Sequence, residues 1–256
     1  MVLVGSAAVG VVVDAAGGSS VVSVSLSTGG ASLVDTASVS RSDAVLDHCL
    51  AEGVKVVLVN RADDSGRAPS VVSDDIAGMK VAVEHLHGLG HRIIGHVGGP
   101  EHLSTGHLRR MGYEQALTGL GLRVDPRLIS AARAYDRTEG ARAAGILLDR
   151  NPDMTAIAAA NDLLALGAYE AIRARGLACP DDIAVVGHND MPLVDLVEPS
   201  LTTIRIGPRE MGCDAARILL GLMSGEEPAE PHHVLVPTLV VRNSTGPARP
   251  RRPAAS

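Results

Sequence analysis

From residue 54 to residue 241 the chain alternates short aliphatic, β-branched runs with stretches patterned for helix, and few architectures admit that alternation. The runs are VKVVLVN at 54–60, SVVS at 70–73, RIIGHV at 92–97, TAIAAA at 155–160, DIAVVGHN at 182–189, LTTIRI at 201–206 and HVLVPTLVV at 233–241. Most lack polar alternation, which fits strands covered on both faces, as in parallel sheets flanked by helices. Between them Ile76, Met79, Val83 and Leu86 make one helical stripe, and Met211, Ala215, Ile218 and Leu222 another. Asp136 with Glu139 reads as a capping box, Pro208 suits a first helical turn, and Gly176 and Gly225 stand where helices stop. The expected fold class is α/β. Before residue 40 the sequence has no helical period, and only VVSVSLS at 21–27 reads as a strand. The stretch from Thr245, rich in Pro and Arg, is expected to be a disordered tail.

A net charge of -6 argues against a phosphate-gripping surface, because duplex DNA is held by clustered Lys and Arg. Cys49, Cys179 and Cys213 are odd in number and far apart, so neither a disulfide framework nor a thiolate metal site is expected. A cytoplasmic protein fits best, since the apolar start lacks a basic region and a span of membrane length. Six histidines crowd residues 85–107 (His85, His87, His91, His96, His102, His107), yet Gly88 and Gly90 interrupt the helix that would pair His87 with His91. No metal and no cofactor are therefore expected. There is no nucleophile elbow or phosphate-binding loop, and GLGHRI breaks the dinucleotide-binding pattern at its last position, so enzymatic function has little support. Asp74 and Asp75 read as a crossover anchor rather than a catalytic pair, because adjacent side chains point different ways.

Five stretches in order carry a likeness: VVLVNR (56–61), SVVSDDIAGMKVAVEHLHGLGHRIIGHVGGP (70–100), RRMGYEQAL (109–117), AANDLLALGAYEAIRARGLACPDDIAVVGHNDMP (159–192) and PSLTTIRIGPREMGCDAARILLGLMSG (199–225). Together they resemble the effector domain of LacI/GalR transcriptional regulators. That resemblance implies a two-lobed, periplasmic-binding-protein-like fold of type I, with parallel sheets, three crossovers and a ligand in the cleft between lobes. The first lobe would comprise residues 1–72 and 207–232, shorter than the family's, and the second residues 73–206 and 233–244. It also implies a homodimer, a sugar-like effector, and operator DNA reached only through a headpiece that this sequence lacks.

The resemblance carries site residues over by position. Arg109 is the first Arg of the family's RxxG motif, whose fork donates to hydroxyls or carboxylates; read from the residues alone it is a helix-face Arg beside a solvated Arg110. Asn161, in AND, is either a helix cap or a ligand contact, with Asp162 supporting the helix start. VVGHND replaces the family's VVGYDD, putting His188 at the aromatic position and Asn189 where an Asp commonly grips hydroxyls. Asn both donates and accepts, so the usual polyol preference does not carry over directly. With Phe and Trp absent, Tyr135 is either a stacking platform for a sugar or a core-edge residue. Thr105 and Asn60 match cleft positions more weakly. The rival readings are a transport-linked sugar-binding protein of the same fold, which needs an export signal, and an enzyme using the cleft, which needs an acid/base pair or nucleophile.

Overall fold

Pairing rather than propensity decides which apolar runs become strands. The computed structural model describes residues 40–42 and 44–249, and before them the backbone of β1 (Val2–Val4), β2 (Ala7–Val9), β3 (Val22–Leu26) and β4 (Ser32–Thr36). There follow α1 (Ala44–Ala51), β5 (Leu58–Val59), β6 (Ser70–Ser73), α2 (Asp75–Gly88), β7 (Ile94–Gly98) and α3 (Ser104–Gly119). Next come a 3-10 turn (Pro126–Leu128), β8 (Ile129–Ala131), α4 (Arg137–Arg150), β9 (Ala156–Ala159) and α5 (Asp162–Arg173). The remainder is β10 (Ala184–Asn189), β11 (Thr202–Arg205), α6 (Pro208–Met223), β12 (His232–Leu235) and β13 (Thr238–Val240).

Two parallel sheets organise the chain. The larger runs β13-β11-β10-β9-β7-β8, with only β13 antiparallel to its neighbour. Side chains alternate across it. Ala156, Ala158, Ala184 and Val186 meet Met79, Val83 and Leu86 of α2 and Tyr113 and Leu117 of α3, while Ile157, Ala159 and Val185 meet Leu147 of α4 and Leu164 and Ile172 of α5. The smaller sheet, β12-β6-β5, is covered on one face by Met211, Ala215 and Leu219 of α6 and on the other by Leu46 of α1. β1 with β2, and β3 with β4, form separate two-stranded sheets. None of them extends the smaller sheet, so β5 ends it among the described residues.

Several expectations are corrected. VKVVLVN supplies only Leu58–Val59 as strand. HVLVPTLVV is two strands in different sheets: Pro237, which has no N–H to give a ladder, stands between β12 and β13. The third crossover thus falls at residues 236–237, and residues 233–235 belong with the first lobe's sheet, paired in parallel to β6. Strand β8 had no apolar run to announce it. The chain is not free from Thr245 onward, because His85 Nε2 bonds Thr245 Oγ1 (3.0 Å), Ala248 N donates to Leu89 O (2.9 Å) and Arg249 pairs with Asp181 (2.9 Å). Residues 250–256 of the expected tail lie outside the described residues. The capping box is half made: Asp136 accepts from Glu139 N at 2.8 Å, but the Glu139 carboxylate turns to Arg133 N.

Candidate functional site

In parallel sheets the carboxyl ends of strands gather loops and helix starts, and the expected site residues sit there. Arg109, on the second turn of α3, is 1% exposed and points into the junction of the two sheets. Its Nε donates to Asp75 Oδ1 (2.7 Å) and its Nη1 to Ala160 O (2.6 Å), tying α3 to the start of α2 and the end of β9. Burial opposes the charge on Arg109, but Asp75 and Tyr135 outweigh it and the guanidinium holds its proton firmly. Burial pushes the Asp75 carboxyl up, against the pull of Arg109.

His188, near the end of β10, is wholly buried, with Nε2 4.0 Å from Asp75 Oδ1 and Nδ1 3.3 Å from Asn189 Oδ1. Burial, and then the charge of Arg109, hold its imidazole neutral, well below the usual histidine range. Tyr135 donates from its hydroxyl to Thr105 Oγ1 (3.1 Å), and its ring lies under the Arg61 guanidinium at 5.9 Å. The tyrosine fits because residue 99 is glycine: a Cβ there would stand 2.2 Å from the Tyr135 hydroxyl.

The structure therefore brings Arg109, Thr105, Tyr135 and His188 to one place, with Asn189 attached through His188. Asn161 is adjacent through Ala160, but its Oδ1 accepts from Leu164 N (2.9 Å), which is the capping arrangement. Asp162 does not serve the helix start alone, since it accepts from Met191 N (2.8 Å) and Thr203 Oγ1 (2.5 Å). Asn60 follows β5 with a left-handed φ of 65° and stands next to Arg61. Arg110 is the solvated neighbour, paired with Glu114 and Glu101. The sequence patterns do not single out Arg61, and they give Asp75 only an anchoring role. The signal available was the position of each just beyond a strand run.

Across this junction the lobes touch. Ala62 N donates to Ser104 Oγ (3.1 Å) and Arg41 N to His102 O (2.9 Å), so the smaller sheet's loops close on the start of α3. Inside, Arg109 Nη2 and His188 Nε2 are buried without a hydrogen-bond partner among the described residues. Each such group costs roughly 1–3 kcal/mol until something pairs with it. A molecule with several hydroxyls is a chemical match, offering donors to the imidazole and acceptors to the guanidinium.

A family model described as a periplasmic binding protein-like domain matches residues 83–245, well over half of the chain. The chain belongs to this family. Within it the likeness is to LacI-type effector domains. MalR, a transcriptional regulator of Streptomyces coelicolor, is 37% identical over 201 residues, 77% of this chain and 58% of that protein. A solved transcriptional regulator CelR–cellobiose complex superposes with a TM-score of 0.76 at 33% identity, covering 80% of this chain and 63% of that one. A regulatory protein of LacI family from Chloroflexus aggregans gives 0.74 at 32% identity, covering 82% and 75%. The LacI-type domain spans 58% and 60% of the length of two curated relatives it matches. Those relatives are transcriptional regulators, not enzymes. Among the described residues no helix is long and apolar enough to cross a membrane, and no cluster of three metal-ligating side chains occurs.

Proposed function

We propose that this chain is the small-molecule-sensing part of a cytoplasmic, homodimeric regulator, in which a sugar-like effector held between the lobes controls operator binding. The observation that carries this reading is the set of orphaned polar atoms, Arg109 Nη2 and His188 Nε2, buried beside Asp75 where the lobes meet. A saccharide hydroxyl bridging them would relieve two unpaired groups at once. Arg109, Thr105, Tyr135, His188 and Asn189 would form the wall on the larger sheet, Asn161 would hold α5 in register behind them, and Asn60 and Arg61 would cover from the smaller sheet. Binding shifts the lobe angle only by the ligand's difference in affinity for the two angles. That the matched relatives are transcriptional regulators favours a sensor over an enzyme using the same cleft.

The test is a thermal-shift screen with cellobiose, maltose, pentoses, sugar acids and nucleosides. At a hundred times its dissociation constant a true effector adds about 2.7 kcal/mol, a rise of roughly 5–10 °C for a chain of this size. Replacing Thr105→Val with Tyr135→Phe removes two mutually bonded hydroxyls at little cost to the fold and is expected to abolish most of that shift. A sugar whose full shift survives in this variant, and in His188→Ala, sinks the site assignment.

A further inference from the structure

On the side of the larger sheet opposite the cleft, the amino ends of β7, β8 and β9 gather arginine. Arg92 precedes β7, Arg123 and Arg127 lie before β8, and Arg150 closes α4 ahead of β9. With Asp125 and Asn151 they line a concave pocket of about 310 Å³. The five residues of β7 separate it from the cleft by roughly 16 Å, so the sensing site makes no use of it.

Its charge is lopsided. Four guanidinium groups face two carboxylates, Asp125 and Asp153. Asp125 is committed to Arg127, with Nη2 3.0 Å from Oδ2, and that bonding holds its carboxyl below the usual range. Arg92, Arg123 and Arg150 make no ion pair among the described residues. The walls are fixed in place. Arg92 Nη1 donates to the carbonyls of His87 (2.9 Å) and His91 (3.0 Å). The buried Asn151 amide donates to Arg127 O (2.9 Å) and Leu147 O (3.0 Å), pinning the Arg127 turn to the end of α4.

We propose that this pocket binds a small phosphate-bearing anion, a phosphomonoester or pyrophosphate, at a second site independent of the saccharide cleft. Guanidinium forks match phosphate oxygens in charge and geometry. A volume near 300 Å³ is at the lower edge of small-molecule sites, large enough for a phosphate ester and too small for an extended polymer. The chain as a whole carries -6, so the excess of positive charge in this concavity runs against the overall balance.

The test is calorimetric titration of the full 256-residue chain with pyrophosphate, inorganic phosphate and adenosine monophosphate, at about 20 mM and about 150 mM salt, since partly exposed charges are screened. Saturable binding at low salt is expected. It should weaken at least ten-fold in Arg123→Glu with Arg150→Glu and stay within a few-fold in the corresponding Lys variant. The saccharide thermal shift should be unchanged in both, and amide resonances of Arg127 and Asn151 should move with the anion. Absence of saturable binding at low salt, or binding indifferent to charge reversal, overturns the proposal. So does a short DNA duplex that binds in preference to the small anions and is lost in the same variant. Should the Glu variant fail to fold, the same comparison is read with Arg123→Gln and Arg150→Gln.

Discussion

At the scale of single residues, the Arg109–Asp75 pair decides what substitutions at this site mean. Both side chains are almost wholly buried, so removing one strands the other's charge out of water. Arg109→Ala is therefore expected to destabilise the fold by about 3–5 kcal/mol, whereas Arg109→Met combined with Asp75→Leu should recover most of that loss. Urea unfolding of Arg109→Met, Asp75→Leu and the two combined checks it, and a strictly additive cycle would contradict the pairing. Asp162 supplies a pH signature. Burial raises its carboxyl to about 7, so the folded state holds this proton between pH 4 and 7 while the unfolded chain releases it. Its contribution is greatest below pH 4 and is lost as pH rises toward 7, by up to roughly 4 kcal/mol. His96, lowered to about 4 by burial, works in the opposite direction, its contribution being lost as pH falls below 6.5. The difference between Asp162→Asn and the parent isolates the carboxylate: the variant should gain relative stability as pH rises from 4 to 7. A flat difference would mean that Asp162 is ionised throughout. That Arg109, Tyr135 and His188 lie together was legible through the family motifs. Asp75 was harder to see, since only the three-dimensional approach of α3 to the start of α2 shows that it is Arg109's counter-charge.

At the scale of elements, α4 and α5 cross closely because both carry glycine at the contact. A Cβ at Gly167 would lie 2.2 Å from Arg137 O and 2.5 Å from Ala141 N, and one at Gly140 would lie 2.6 Å from Leu164 O. Backbone cannot retreat as a side-chain tip can, so Gly167→Ala should cost roughly 1–3 kcal/mol or more by overpacking. Gly119, the last residue of α3, has nothing within 4 Å of its Cβ position and no positive φ; Gly119→Ala should be neutral or stabilise by about 0.4–1 kcal/mol. Equal midpoints for the two variants in urea would refute the close crossing. The sequence announced both helices, through Asp136 and Asn161, but not this contact, because a glycine spaced for packing looks like any other glycine in one dimension. The same limit explains β8, whose three residues are too short a run to read as a strand until β7 offers an edge, and HVLVPTLVV, which reads as one run until Pro237 divides it.

At the scale of the molecule, what matters is how firmly the two sheets are held together before any effector arrives. Among the described residues their cross-lobe ties include Ala62 N to Ser104 Oγ, Arg41 N to His102 O, and Arg61 over the Tyr135 ring. These three contacts together are worth a few kcal/mol, since each hydrogen bond nets about 1 kcal/mol and a buried cation–π contact about 2 kcal/mol. The closed arrangement is then one that a ligand of ordinary affinity can shift, as a sensor requires. Ser104→Ala removes one tie without touching the larger sheet's core, and Tyr135→Leu removes another. Together they should raise the open population, seen as a larger radius of gyration by small-angle X-ray scattering in the absence of sugar. If the ligand-free variant is already as compact as the parent, the lobes are held by something other than these ties. The effector would then have to act on a rigid junction, which leaves no angle for it to select.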